Sequence, residues 1–222
     1  EQVVPNISKY ANSQNKVSAA DFFSNHPFHM RMEGYSRRVF AAAAQGGNRQ
    51  TRWFYERARG QYQVERAKLG GADRRRFDSE NPKSQLFTKT DLAKVEVSFL
   101  KKPDLVSRGA QKNFSTFAAD IGEAWSASDA KYDEVWFKRL VAKVIIFRTL
   151  EKVVPRQDWY PGGYRANIVT YGIAKLVSDV AAIGPALDLD RVWTEPSVPA
   201  TMLRPFPTPR AAASSVLAPP AR

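Results

Sequence analysis

Hydrophobic positions along this chain recur mostly every three or four residues and only briefly every second residue. The clearest run lies between Ala127 and Val154, where Tyr132, Val135, Trp136, Leu140, Val144, Phe147, Leu150 and Val154 trace one apolar stripe. Ser128 stands where an N-cap is expected, and Pro155 stands where a helix must stop. A second stripe of Ile168, Tyr171, Ile173, Leu176, Val177 and Val180 runs from Tyr164 to Ile183, ahead of Gly184-Pro185. Two such stripes on a short connection predict an antiparallel helix pair at about 128–154 and 164–183.

Shorter segments carry weaker versions of the same signal. Thr90-Asp91 predicts the cap of a helix bearing Leu92, Val95 and Phe99. Pro103-Asp104 opens the next, with Leu105, Val106, Phe114 and Phe117 for its buried side. Asp73 to Glu80 reads as a short helix ended by Asn81-Pro82, and Leu189 to Trp193 as a last one. Ser18 and Asp21 form a capping-box-like start, and Pro27 allows a helix up to about Asn25 or one after it. Gln45-Gly46-Gly47-Asn48 reads as a loop tip. The alternation Trp53, Tyr55, Arg57, Arg59 predicts a strand ending at Gly60, with a helix from Trp53 to Leu69 as the rival. The predicted fold is mainly α with a minor β component (α+β). Residues 1–100 form a basic Arg-rich region, and residues 101–194 a helical region grouped with it in one domain. Residues 195–222 hold seven of the fourteen prolines, which predicts a disordered tail.

Charge changes this picture most. The chain carries 34 Lys and Arg against 22 Asp and Glu, a net charge of +12. Between Arg31 and Arg76 stand 12 basic and 4 acidic residues, a local excess of +8, and eleven of the twelve are Arg. Arg forks onto phosphate and stacks on bases, so nucleic acid is the expected partner. The chain has no Cys, which excludes disulfides, thiol catalysis and cysteine metal sites. No stretch approaches the roughly 20 apolar residues that cross a bilayer, so no membrane partner is expected. The chain opens on Glu1 with no charged-then-apolar leader, which predicts a cytoplasmic piece of a longer protein.

Candidate chemistry is sparse. His26 and His29 are the only histidines, with no third ligand in sight, so they read as structural or surface residues and no metal is expected. Gln45 to Arg49 lacks the Lys-Ser/Thr of a phosphate loop, and Pro161-Gly162-Gly163 reads as a turn between helices. No catalytic constellation is complete and no cofactor is implied. Two polar blocks suit nucleic acid. In Asn12-Ser-Gln-Asn-Lys-Val17, the Asn15 amide can fork onto a base and Lys16 can meet a phosphate. In the block running from Arg52 to Tyr62, Arg52, Arg57 and Arg59 would hold phosphate while Trp53 and Tyr55 stack on unpaired bases. The alternative for that block is a core strand with buried aromatics and paired arginines.

Taken together, the blocks resemble a family. Asn12 to Val17, Asp21-Phe22, and Trp53-Phe-Tyr-Glu-Arg-x-Arg-Gly-x-Tyr62 are similar to successive blocks of the AIPR, or abortive infection phage resistance, proteins. Ser84 to Lys94 and Gly162-Gly-Tyr-Arg-Ala-Asn-Ile168 resemble later blocks, so the similarity runs from about Val4 to Trp193. The resemblance is to the C-terminal portion of these proteins and implies a role in bacterial defence against phage. Members often resemble restriction-type nucleases in an N-terminal part that this sequence does not contain. The block resembling Asn-Gly-Cys-Gln-Thr that usually precedes Asn-Ser-Gln-Asn-Lys is also missing. No catalytic residue is therefore carried over.

The expected function is a nucleic-acid-binding or sensing module of a defence protein. The rivals are part of a nuclease completed elsewhere, with Glu56 and then Asp21 as the carboxylates to watch, and a structural or oligomerising domain. A second copy or other subunits of a defence system are the remaining candidate partners.

Overall fold

Helices dominate, and His26, Thr88, Asp133 and Asp188 each cap one by accepting a backbone amide. In the computed structural model, which describes residues 23–41, 50–160, 162–183 and 187–195, helix α1 (Pro27–Arg38) starts on Pro27. A proline at the first turn loses no hydrogen bond, and Nδ1 of His26 caps that turn by accepting from the Phe28 amide at 3.3 Å. Strand β1 (Phe40–Ala41) follows and pairs antiparallel with β2 (Thr51–Arg52). Strand β3 (Phe54–Glu56) pairs in parallel with β4 (Leu86–Thr88), placing Tyr55 opposite Phe87. Parallel strands need a long crossover. Here it is a helical hairpin, α2 (Gln61–Ala67) and α3 (Gly71–Glu80).

The remaining elements are α4 (Lys89–Phe99), α5 (Pro103–Ser107), α6 (Ala110–Ala127), α7 (Glu134–Val153), α8 (Arg165–Ile183) and α9 (Leu189–Thr194). Helix α7 is the centre. Phe137, Leu140, Val141, Ala142, Val144, Ile145, Ile146, Phe147 and Leu150 are all buried, so it is covered on most sides. It packs against α4, α8 and α9, and α8 contributes the fully buried Val169 and Ile173. Each such aliphatic or aromatic side chain contributes about 1.5–3 kcal/mol on burial. One hydrophobic cluster runs from Phe28 in α1 to Val192 in α9. Among the described residues, no helix is long and apolar enough to cross a membrane.

The mainly α, minor β class and the contact between the two long helices agree with the sequence reading, while several boundaries move. Ser128 does not cap α7. It ends α6, its amide donating to the Ala124 carbonyl at 3.1 Å. The cap of α7 is Asp133, whose carboxylate accepts from the Trp136 amide at 2.8 Å. Likewise α4 is capped by Thr88, two residues before Thr90, in a full capping box with Asp91. The helix opened by Pro103 ends at Ser107, and Gly109, whose φ of +98° suits glycine and is rare for other residues, turns the chain into a new helix that carries Phe114 and Phe117. The strand and helix readings of residues 53–69 each hold for part of the segment. The strand ends at Glu56 and the helix starts at Gln61. The Ser18–Asp21 cap, the Gln45–Asn48 loop and the proline-rich tail after Glu195 lie outside the described residues.

Candidate nucleic-acid interface

The Arg52–Tyr62 block folds back on its own chain. Trp53 is 7% exposed, and Phe54 and Tyr55 are fully buried. A ring without an exposed face has nothing to offer a base, so the stacking role expected of Trp53 and Tyr55 is closed to them. Burial wins because the parallel pairing with β4 sets this strand against Phe87 and α1.

The free edges of that small sheet are finished by side chains. On the β3 side, the fully buried Ser36 hydroxyl donates to the Trp53 carbonyl at 2.8 Å and accepts from the Tyr55 amide at 2.7 Å. On the other side, Arg148 of α7 donates from Nη1 to the Ser84 carbonyl at 2.5 Å and from Nη2 to the Leu86 carbonyl. Its guanidinium also lies 5.4 Å from the Trp53 ring. Buried strand edges need partners, and here two side chains replace a third strand. Burial lowers the Arg148 pKa from its ordinary value, with Asp91 and Glu151 acting in the opposite direction.

The arginines of the block are mostly engaged. Arg57 Nε donates to Glu33 Oε2 at 2.5 Å, and its Nη1 reaches the Asn25 side chain at 2.8 Å and the Ser24 carbonyl at 3.2 Å. Glu33 Oε1 is taken by the Gln61 amide. Arg52 pairs with Glu80 at 3.1 Å and covers the Phe40 ring. The phosphate role expected of Arg52 and Arg57 thus meets carboxylates already in place. Glu56, the carboxylate to watch in the nuclease alternative, accepts from the Gly60 and Tyr62 amides at 2.9 and 3.2 Å through its two oxygens and caps α2. Gly60 can hold that turn because its φ is +77°. Of the expected set, Arg59 alone among the described members is exposed and makes no ion pair with a described residue. Asn15 and Lys16 lie outside the described residues, as does Asp21.

The histidines also face inward. His29 is fully buried among Phe28, Phe114 and Phe117, with Nδ1 2.5 Å from the Tyr55 hydroxyl and Nε2 without a hydrogen-bond partner among the described residues. Burial, with smaller contributions from His26, Lys89 and Arg57, pushes its pKa down to about 3. Among the described residues, no three His, Asp or Glu gather as a metal site.

The unspent positive charge lies on the crossover hairpin. From Arg59 to Glu80 stand six cations and four carboxylates, a net +2, and Glu65, Asp78 and Glu80 already pair with Arg37, Arg66 and Arg52. Arg59, Lys68 and Arg75 are exposed, with no described carboxylate in ion-pair range. Arg76 is 74% exposed and only 3.7 Å from Asp73 within its own helix. Arg74 donates to the Leu69 carbonyl at 2.9 Å and pairs with no described acid. Helix α3 buries no residue fully. Its anchor is Phe77, which packs on Phe54 and Tyr62 while the Tyr62 hydroxyl donates to the Asn81 carbonyl at 2.8 Å. The signal for this face was readable. Gly71–Glu80 has three consecutive arginines and one large apolar residue, which marks a solvated helix rather than a buried one.

No curated protein and no solved structure matches the chain. The sequence profile of the AIPR proteins matches residues 1–213, nearly its whole length. On that match the chain belongs to the AIPR family of abortive infection phage resistance proteins.

Proposed function

We propose that this chain is a nucleic-acid-binding or sensing module of its phage-resistance protein, and that the outer face of the α2–α3 hairpin is its contact surface. One observation carries the reading. Arg59, Lys68, Arg74, Arg75 and Arg76 crowd one exposed crossover without enough carboxylates to neutralise them. Like charges held together are unfavourable for folding alone, and a phosphate backbone relieves them while releasing counterions. Binding is favoured over catalysis because Glu56, the carboxylate inside the Arg-rich block, is occupied as a helix cap.

Titration of the chain with single-stranded and duplex DNA and RNA at two salt concentrations tests this. Affinity should fall with salt at a log–log slope of about −0.7 to −0.9 per phosphate contact. The double variant Arg74→Ala/Arg75→Ala should bind more weakly, with a slope flatter by roughly one to two units. A folded double variant with the affinity and slope of the parent removes the hairpin from the interface.

A further inference from the structure

Three helices begin at one cleft of about 250 Å³. Thr90, the second residue of α4, Ala110, the first of α6, and Ala166, the second of α8, all line it. The first turn of a helix leaves amide N–H groups without helical acceptors and carries the positive end of the helix dipole. At α4 the Thr88 hydroxyl takes one of these amides, that of Asp91. Helix α6 starts on Gly109, which supplies no side-chain cap, and neither α6 nor α8 has an acidic residue in its first turn. Lys94 adds a full positive charge to the lining and pairs with no described carboxylate. The carboxylate of the lining, Asp91, accepts from the Thr88 amide and hydroxyl through Oδ2 at 3.0 and 2.9 Å.

A second, independent observation points to a ligand. Asn113 lines the same cleft and is only 2% exposed. Its side-chain amide makes no hydrogen bond with a described residue, and Oδ1 is sealed from solvent. Nδ2 is therefore the end left to face the cleft, and it can only donate. Buried amides rarely stay without a partner. Donors thus stand on three helices around a lysine, and such a set calls for an anion with acceptors in several directions. A carboxylate has two oxygens in one plane, whereas the oxygens of a phosphate are tetrahedral. We infer that the cleft binds a phosphomonoester group, carried by a small phosphorylated ligand or by the end of a nucleic-acid strand. The site is separate from the proposed contact surface, because no described lining residue belongs to the α2–α3 hairpin.

Amide NMR of the whole chain tests this, with inorganic phosphate titrated against chloride at constant ionic strength. In the parent protein the Ala110 and Gln111 backbone amides and the Asn113 side-chain amide should shift and saturate. Lys94→Gln should weaken that binding about tenfold, the effect of one lost charge-assisted hydrogen bond. Ala166→Glu sets a carboxylate at the start of α8, where the helix dipole favours it. That variant should melt no lower than the parent and lose phosphate binding. Arg74→Ala/Arg75→Ala should leave the shifts as they are. A 5′-phosphorylated oligonucleotide and its 5′-hydroxyl twin then identify the source. Shifts from the phosphorylated strand alone assign the cleft to a strand end, and shifts from neither assign it to a small phosphorylated ligand. Absent or non-saturating shifts with phosphate, equal shifts from both oligonucleotides, or a folded Ala166→Glu variant that binds like the parent overturn the site and leave the hairpin reading untouched.

Discussion

Arg57 and Glu33 hold each other across the junction of β3 and α1, with the Arg57 side chain 21% exposed and the Glu33 side chain 20% exposed. Glu33 also accepts from Gln61, and Arg37 stands 3.6 Å away, so one carboxylate gathers α1, the end of the strand and the start of the hairpin. Removing Arg57 takes the nearest cation from a partly buried carboxylate and leaves it only Gln61 and the more distant Arg37. Arg57→Ala should therefore lower stability by about 1–3 kcal/mol in a urea titration. Affinity per folded molecule should stay at the parent value. Arg75, exposed and without a described carboxylate partner, is the control. Arg75→Ala should leave the urea midpoint alone and weaken binding. The reverse pattern would return Arg57 to the interface.

His29 makes the fold sensitive to acid. Its pKa is near 3 in the folded chain, against about 6.5 when unfolded. Burial therefore favours the neutral ring. The unfolded chain takes up the proton first, so stability is complete above pH 6.5 and is lost as pH falls from there toward 3, by up to about 1.4 kcal/mol per pH unit. Denaturant titrations at pH 7.5 and 5 should show this loss in the parent. His29→Phe, which cannot titrate, should show a smaller one. An identical pH difference in both proteins would place the sensitivity elsewhere.

Arg148 should be needed for the small parallel sheet rather than for binding. Arg148→Met keeps most of the apolar stem but strips the Ser84 and Leu86 carbonyls of their donors. The expected cost is about 1–3 kcal/mol, seen as a lower melting temperature and faster amide exchange in Leu86–Thr88. Lysine should not rescue it, because one ammonium cannot copy the planar fork that spans both carbonyls.

Glu56→Ala should loosen the base of the hairpin. It removes the acceptor for the Gly60 and Tyr62 amides, a loss of about 1 kcal/mol by analogy with other helix caps. Amide exchange at those two positions should quicken, while the α7 core keeps its protection. Unchanged exchange at Gly60 and Tyr62 would show that the cap is not what holds the turn.

The elements that the sequence placed well are those whose signal is local and repeated. The stripes on α7 and α8 are written in side chains three and four positions apart, and Pro155 and the Gly162-Gly163 turn mark the gap between them. Caps were harder to place. Ser128 and Asp133 are both good capping residues five positions apart, and the choice falls on Asp133 because α6 runs on to Ala127 and takes Ser128 at its end.

What the sequence by itself determined is the helical class, the apolar faces of the long helices, the charge excess in the Arg31–Arg76 block and the ordered blocks of the AIPR family. What only the tertiary structure decided is which of those arginines and aromatics are free. Arg57 and Arg75 are the same residue in the same basic block, yet one meets Glu33, 24 positions earlier, and the other meets no described acid. Trp53 and Tyr55 alternate like an exposed stacking edge, yet Phe87, over 30 positions later, closes over them. Composition and spacing report which groups a chain owns. Pairing and burial depend on contacts between distant positions, and those exist only once β4 and α1 close on β3.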